Sequence, residues 1–324
     1  MTSALRLASV ALASYAVASA MASILIGAAW RLGMRPDDTA APAARARRLV
    51  WLRAVPSMIG LWATFGVVLP AYVAFEPRRA YEDVGPALLT LAAAGVAIIA
   101  AALLKTVRLA LATWGAQRAC LRASAALVTT PPAGFPAFVV DDPAAGVALV
   151  GVFRPTLMAA RCVVNACTEA ELACIVAHER RHLLARDNVT RWIMACAPDP
   201  LRWTSRHREI ATAWHDAAED AADDAATGGH PMARVDLAAL LLKVAQLAPP
   251  SGWAVPVSPF VEADRLDRRV RRLLADAPAV EPTHRPAVSV IVAAALAVLV
   301  ALLGVTTTLE SVHAVVEALV GAGR

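Results

Sequence analysis

Long apolar runs, separated by basic and polar segments, dominate the pattern of this chain. Four runs of 21 to 24 residues contain no charged side chain: Leu7–Trp30, Ala54–Phe75, Val84–Leu104 and Ala287–Leu309. A helix needs about 20 apolar residues to cross the hydrocarbon core of a bilayer, whereas a run of about 10–14 is more typical of a buried core helix. The pattern therefore predicts four transmembrane helices, at about residues 7–30, 54–75, 84–104 and 287–309.

The amino-acid composition agrees with this prediction. Of the 324 residues, 58% are hydrophobic and 18% are charged, compared with about 45–50% and about 25% in ordinary soluble domains. These values exclude an intrinsically disordered chain and argue against a single water-soluble globule. We therefore expect a membrane protein.

The distribution of arginine and lysine predicts the orientation in the membrane. Basic residues concentrate in the loop 31–53, after the third span and before the fourth, whereas the loop between spans two and three holds two arginines beside three acidic residues. Positively charged loops remain in the cytoplasm. We therefore expect a multi-pass protein of the cell membrane, with both termini outside and residues 105–286 in the cytoplasm.

One alternative to this orientation stays open. Arg6, the apolar run after it and the triplet Ala18-Ser19-Ala20 also resemble a secretory signal with its cleavage site. Cleavage would remove the first span and invert everything downstream.

The net charge indicates which partners to expect, and the cysteines indicate the compartment. The net charge is +5, and the basic residues beside the spans attract anionic headgroups, so membrane lipids are expected partners. These arginines lie at span ends without interleaved aromatic residues, so no direct binding of nucleic acid is predicted. Five cysteines without a C-x-x-C motif indicate free thiols in a reducing compartment.

Three units are predicted along the chain: residues 1–113 with three spans and the basic loop, residues 114–286 as a cytoplasmic domain, and residues 287–324 with the fourth span and an outer tail. In the domain, short β-prone runs broken by proline and glycine predict a small sheet: Ala137–Asp141, Gly146–Val152 and Leu157–Val164. Helices are predicted after the capping box Thr168-Glu169-Ala170-Glu171 and over about 206–226, 235–247 and 262–274. The fold class is therefore four transmembrane α-helices plus a cytoplasmic α+β domain inserted between helices three and four.

The last predicted helix of the domain is basic and amphipathic. Its apolar residues share one face, and its arginines lie on the other: Leu266, Val270, Leu273 and Leu274 are the apolar set. Such a helix either lies on the inner leaflet of the membrane or packs on the domain as an ordinary surface helix. Both interpretations stay open at this point.

The helix after Thr168 carries the sequence His178-Glu179-Arg180-Arg181-His182. Two histidines at positions i and i+4 project from one helix face, so both imidazoles can reach a single zinc ion. Glu179 lies beside the first histidine, where its carboxylate can act as a general base on water. This is the H-E-x-x-H arrangement of zinc metalloproteases. It predicts a zinc site with His178 and His182 as ligands and Glu179 as the catalytic base.

A catalytic zinc ion needs a third protein ligand, and Glu219 on the next predicted helix is the first candidate. Asp223, one turn later on the same face, would accept a hydrogen bond from a ligand histidine. Asp220 is the competing ligand. It belongs to a row on an adjacent face that is otherwise interpreted as a solvated acidic stripe: Asp216, Asp220 and Asp224.

Two further residues are candidates near the metal. Asp187 is either another acceptor for a ligand histidine or, together with Asn188, a cap at the helix end. His215 precedes Glu219 by one helical turn. It either donates a hydrogen bond to a transition-state oxyanion or is a plain surface histidine.

These motifs resemble the BlaR/MecR-type membrane metallopeptidases, which are related to the HtpX-type gluzincins. The resemblance covers about residues 136–226 and lies in five pieces: Gly151–Pro155, Glu171-Leu172, His178–His182, Arg186-Asp187-Asn188 and Glu219–Asp223. In that family the glutamate of a Glu-x-x-x-Asp element is the third zinc ligand, which implies Glu219 here. The resemblance also implies a zincin-like peptidase domain that faces the cytoplasm.

The chain departs from the best-known members of that family. Those proteins carry an extracellular penicillin-binding sensor domain after the last span, whereas only about 15 residues, Glu310–Arg324, follow it here. Recognition of β-lactams through such a domain is therefore not expected. A signal would enter through the spans, the outer loop Glu76–Asp83 or a partner protein.

The sequence thus predicts an integral membrane zinc-dependent endopeptidase. The resemblance implies that it cleaves a cytoplasmic regulatory protein, such as a transcriptional repressor, or itself during signalling, and a homo-oligomer is a further possibility. An extended substrate is expected to pair with a sheet edge near Gly146–Arg154. Two alternatives stay open: a zinc-binding signalling scaffold without proteolytic activity, and a transporter, which the absence of ionisable residues within the spans disfavours.

Overall fold

A computed structural model describes residues 3–33, 40–75, 85–127, 136–200, 204–248, 257–261 and 263–275, together with residues 314, 315 and 318. The described part is mostly helical and contains one five-stranded sheet. The predicted fourth span at 287–309 lies outside the described residues.

Three helical stretches of the described part are long and apolar enough to cross a membrane: Ala4–Arg31, Pro42–Ala74 and Pro86–Ala119. The first lies in α1 (Ser3–Arg31) and the third in α4 (Pro86–Ala123). The second consists of α2 (Pro42–Trp62), a π-helical segment (Ala63–Val68) and α3 (Leu69–Phe75), which follow one another without a break. These helices are consistent with a membrane protein and overlap the first three predicted spans.

Two of these helices extend beyond the predicted spans. α2 begins at Pro42, because the fixed φ of proline suits the first turn of a helix. Residues 42–53 of the predicted basic loop are therefore helical. α4 continues past Leu104 to Ala123, so the predicted domain boundary at 113–114 falls within a single helix.

The sheet follows α4 directly. Its strands are β1 (Ser124–Leu127), β2 (Ala137–Val140), β3 (Val147–Val150), β4 (Thr156–Ala160) and β5 (Val257–Pro259), in the order β1-β2-β4-β3-β5. β2 and β4 are parallel, and the other neighbouring strands are antiparallel. Strands β2 and β3 fall within predicted β-prone runs and β4 overlaps the third, whereas β1 and β5 were not predicted.

The described part of the domain also contains a short 3-10 helix (Pro143–Ala145) and, after the first four strands, six α-helices: α5 (Arg161–Ala166), α6 (Glu169–Ala185), α7 (Asp187–Cys196), α8 (Ser205–Thr227), α9 (Pro231–Leu247) and α10 (Ala263–Leu274). The predicted capping box starts α6. The hydroxyl of Thr168 accepts a hydrogen bond from the N–H of Glu171, and the Glu171 carboxylate accepts one from the N–H of Thr168 at 2.7 Å. α6 ends at Arg186, whose backbone is left-handed with a φ of 56°.

α8 connects the domain to the long apolar helices. One side of it shares a buried apolar cluster with α1, α2 and α7, including Ile26, Trp30, Leu49, Leu52, Met194, Ile210 and Trp214. Another side packs on α6 and α9. The main core of the domain lies between the sheet, α6, α9 and α10. α8 is therefore held between the apolar helices α1 and α2 and the sheet-containing core.

α10 packs on the domain. Leu273 is buried in the main core, and Leu266 and Val270 contact that core. Of the two interpretations of this basic helix, the structure favours packing on the domain over a position on the lipid surface. The cysteines whose side chains are described, Cys162, Cys167, Cys174 and Cys196, are free thiols as predicted.

Candidate metal centre

α6 places the three residues of the H-E-x-x-H motif in the interior of the protein. His178 and Glu179 are fully buried, and His182 is 2% exposed. The two histidine Nε2 atoms lie 3.1 Å apart, and the rings meet edge to face. The spacing of one helical turn thus directs both imidazoles to the same point.

α8 brings Glu219 to this point. Its Oε2 lies 3.6 Å from Nε2 of His178, and its Oε1 lies 3.5 Å from Nε2 of His182. The ligand atoms of the three residues all lie within 4.8 Å of one another, and all three side chains are buried. His178, His182 and Glu219 are therefore able to bind one metal ion.

Acidic side chains lie against the outer nitrogen of each histidine. Nδ1 of His182 lies 2.8 Å from Oδ2 of Asp187, and Nδ1 of His178 lies 3.1 Å from Oδ1 of Asp223. An ionised carboxylate only accepts hydrogen bonds, so these contacts favour the proton on Nδ1 and leave the Nε2 lone pair free. The structure thus places Asp187 and Asp223 where the sequence expected acceptors for ligand histidines.

The Glu179 carboxylate is buried, and neither of its oxygens has a hydrogen-bond partner among the described residues. Burial raises the pKa of Glu179 to about 8, and the charge of Glu219 acts in the same direction, while His182 and Arg269 oppose it. Buried carboxylates are normally satisfied by hydrogen bonds or ions. An acidic group in this state is typical of a functional site.

For Glu219 and Asp223, nearby positive groups outweigh the effect of burial on the pKa. Burial acts to raise the pKa of Glu219, but the charges of His182 and Arg269 outweigh it and hold the pKa well below its ordinary value. Asp223 behaves in the same way, because Arg269 and His178 outweigh the effect of burial and lower its pKa. In the absence of a metal ion, Glu219 and Asp223 therefore lose their protons at lower pH than Glu179 does.

His215 is buried at 7% exposure, so its interpretation as a plain surface histidine is wrong. A guanidinium nitrogen of Arg191 lies 2.9 Å from its Nδ1. Arginine only donates hydrogen bonds, so Nδ1 is the acceptor and the neutral ring carries its proton on Nε2. That Nε2 lies 3.9 Å from Oε1 of Glu219, which directs its N–H toward the metal-binding group.

The acidic row on the adjacent face of α8 does not join the metal-binding group. Its carboxylates pair instead with arginines of α10 and α2: Asp216 with Arg265 and Arg268, Asp220 with Arg45, Arg268 and Arg272, and Asp224 with Arg272. The interpretation of this row as a solvated stripe is therefore wrong for the buried Asp220 and the partly buried Asp216, whereas Asp224 is exposed. Asp220, the competing ligand, instead has contacts of 2.8 Å to Arg45 and 2.9 Å to Arg268.

Sequence reasoning missed Arg269, which contacts both Glu219 and Asp223. It placed the arginines of α10 on the face opposite the leucines. Arg269, however, follows Leu266 by three residues and precedes Leu273 by four, a spacing that puts it on the apolar face. This spacing was the one available signal.

The predicted substrate-binding edge is occupied. β3 pairs with β4 on one side and with β5 on the other, where Val150 faces Val257 and Ala148 faces Pro259. Residues 147–150 are therefore an inner strand, and the expectation of a free edge there is wrong. The sequence offered no signal for β5 because its pairing joins residues about 110 positions apart.

No protein-family model, no curated protein and no solved structure matches the chain in comparisons with known proteins. The functional conclusion therefore depends on the site itself.

Proposed function

We propose that this chain is an integral membrane zinc-dependent endopeptidase. One observation carries the proposal: two histidine Nε2 atoms and the Glu219 carboxylate converge at a buried point, and the helix that bears the histidines also bears a buried Glu179 without a hydrogen-bond partner. Two histidines and one glutamate leave an open position on zinc, which is typical of catalytic sites.

The donor set fits zinc. Ligand atoms in a tetrahedral zinc site lie about 3.4 Å from one another, because each is about 2.0–2.2 Å from the metal. Here the two histidine Nε2 atoms lie 3.1 Å apart, Nε2 of His182 lies 3.5 Å from Oε1 of Glu219, and Nε2 of His178 lies 3.6 Å from Oε2 of Glu219. Neither oxygen of Glu219 accepts a well-aligned hydrogen bond from the described residues, although Arg269 lies at ion-pair distance. A cation at this point would satisfy these atoms.

Glu179 and His215 have different proposed roles in peptide hydrolysis. Zinc, when bound, supplies Lewis acidity that polarises the scissile carbonyl and acidifies a water molecule. Glu179 accepts the proton of that water and delivers it to the departing amine. Its raised pKa suits a group that accepts and donates a proton near neutral pH. His215 would direct its Nε2–H at the oxyanion that develops on the substrate.

We further propose that the domain is a zincin-like domain on the cytoplasmic side and that its substrate is a peptide segment of a regulatory protein, such as a repressor, or of the chain itself. The basic segments beside the apolar helices support the cytoplasmic position. The resemblance to the BlaR/MecR-type proteins supports the class of substrate. Membrane lipids and a second copy of the chain remain the other proposed partners.

One observation favours the proteolytically silent scaffold as a second candidate. The three ligands and Glu179 are each at most 2% exposed, so a substrate reaches them only after a local opening. A metal centre that is permanently closed would bind zinc for structural reasons and would transmit a signal by a change of conformation.

The test uses the purified full-length protein in detergent, loaded with zinc, with fluorescent casein as the probe. We expect cleavage by the wild-type chain, loss of cleavage with retained zinc for Glu179→Gln, and loss of both for His182→Ala. Undiminished cleavage by Glu179→Gln would refute the assignment of the base. One zinc per chain without cleavage of casein or of the chain itself would favour the scaffold.

A further inference from the structure

Arg269 is the largest fully buried side chain of the described part. Arginine is almost never fully buried unless it is paired, and an unpaired buried charge is costly. The residue therefore has a specific set of partners. Its neighbours on α10, Arg268 and Arg272, are 35% and 28% exposed and bind the outer acidic row of α8.

The guanidinium of Arg269 forms a fork with Asp223. Nε donates to Oδ2 at 3.0 Å, and one terminal nitrogen donates to Oδ1 at 2.5 Å. The other terminal nitrogen lies 3.1 Å from Oε2 of Glu219 and donates to the backbone carbonyl of Phe260 at 2.5 Å. One planar group thus contacts two carboxylates that lie one turn apart on α8.

Both carboxylates contact His178, one of the proposed metal ligands. Oε2 of Glu219, the atom that Arg269 contacts, lies 3.6 Å from Nε2 of His178. Oδ1 of Asp223, the other atom that Arg269 contacts, lies 3.1 Å from Nδ1 of the same histidine. The arginine therefore touches one proposed ligand directly and a second through Asp223.

We propose that Arg269 is the positioning residue of the metal centre, and that its fork holds Glu219 and, through Asp223, His178 in the geometry that binds zinc. This inference rests on the proposed function in that it requires zinc to bind at His178, His182 and Glu219. Arginine suits the task because its donors are planar and rigidly spaced, whereas the ammonium of lysine is a single flexible charge.

Arg269 makes the proposed metal site depend on β5 and α10. The three proposed ligands come from α6 and α8, whereas the arginine comes from α10, after β5. Phe260, at the end of β5, accepts a hydrogen bond from Arg269 and packs its ring edge to face on His178, with the ring centroids 5.1 Å apart. The metal centre is therefore complete only when β5 and α10 are docked on the domain.

The experiment measures the zinc dissociation constant by competition with a chromophoric chelator, using full-length protein in detergent. A pure charge effect and a positioning effect predict opposite changes in zinc affinity for Arg269→Gln. If Arg269 acts by its positive charge alone, Arg269→Lys binds zinc like the wild type, and Arg269→Gln binds more tightly because a repelling charge is gone. If the fork positions the ligands, both variants bind zinc about 10-fold or more weakly, the typical cost of losing a partner of a metal ligand.

The matched control is Arg272→Lys on the same helix, which should leave the zinc dissociation constant unchanged. The cobalt-substituted protein gives a second readout, because a disturbed ligand geometry changes its visible spectrum, and we expect this change for Arg269→Lys and not for Arg272→Lys. If Arg269→Gln does not fold, the comparison of the two lysine variants still decides the matter.

Wild-type affinity and spectrum in Arg269→Lys would overturn this inference and leave the proposed function intact. Tighter zinc binding by Arg269→Gln would overturn it as well. Absence of zinc binding by the wild-type chain would overturn the proposed function together with the inference.

Discussion

Nδ1 of His182 and Oδ2 of Asp187 lie 2.8 Å apart, although the two residues belong to successive helices. The left-handed backbone of Arg186 turns the chain between them. Asp187 is only 7% exposed, so water has little access to replace its carboxylate beside Nδ1 of His182. This contact holds the ring of His182 and leaves its Nε2 directed at Glu219.

Replacement of Asp187 tests the value of this contact. We expect Asp187→Asn to weaken zinc binding about 10-fold, because a neutral amide oxygen supports the protonated Nδ1 less well than a carboxylate does. The dissociation constant is measured by chelator competition. Asp141→Asn, at an exposed carboxylate paired with Arg161, is the control that should bind like the wild type. Equal affinity of the two variants would contradict the prediction.

The neighbours Glu219 and Asp220 provide a matched pair on α8. Glu219→Gln should abolish stoichiometric zinc binding, because a direct ligand and a negative charge are lost together. Asp220→Asn should retain zinc, since its carboxylate faces Arg45 and Arg268. Metal analysis of both purified variants checks this prediction, and the reverse result would assign the third ligand to Asp220.

The metal-free protein should lose stability as the pH rises from about 5 to about 8. Burial raises the pKa of Glu179 to about 8, so in this range the folded protein keeps a proton that the unfolded chain has released, and folding becomes less favourable as the pH increases. The total effect is on the order of 5 kcal/mol. Burial lowers the pKa of His178, but Asp223 and Glu219 outweigh it, and the raised pKa acts in the same direction above pH 6.5.

Thermal midpoints of chelator-treated protein in detergent, measured between pH 5 and pH 8, test this dependence. Glu179→Gln should remove most of the slope, since its amide does not titrate. The lowered pKa values of Glu219 and Asp223 contribute only at more acidic pH. A midpoint that rises with pH in the wild type would show that another group dominates.

A buried ion pair joins the connection between α7 and α8 to the apolar helices α1 and α2. Asp199, between α7 and α8, accepts hydrogen bonds from Arg53 of α2 at 2.9 Å and from Ser23 of α1 at 2.8 Å, and it is 2% exposed. It also contacts His207 at the start of α8. The connection before the helix that carries Glu219 is thus held against α1 and α2.

Asp199→Ala should destabilise the protein by about 3–5 kcal/mol, because it leaves the charge of Arg53 buried without this carboxylate. The thermal midpoint in detergent is the measurement. The exposed pair of Asp141 and Arg161 is the control: Asp141→Ala should cost no more than about 1 kcal/mol. Similar losses for the two alanine variants would contradict a structural role for the buried pair.

Local patterns predicted the elements well. The capping box marked the start of α6, and the i, i+4 spacing placed two histidines at one point because both depend on residues within one or two helical turns. Apolar length alone located the first three candidate spans. The register of Glu219 and Asp223 on α8 followed from the same helical periodicity.

The sequence by itself thus located the long helices and most of the three central strands, and it showed which side chains share a helix face, since these properties arise from short-range geometry. It did not indicate the short elements β1, β5, α5 and α7. Only the tertiary structure decided that Arg269 contacts the candidate metal ligand Glu219, that β5 pairs with β3, and that the acidic row of α8 pairs with α10. These contacts join residues about 50 to 110 positions apart. Such pairings depend on how whole elements pack, and helical or strand periodicity does not encode them.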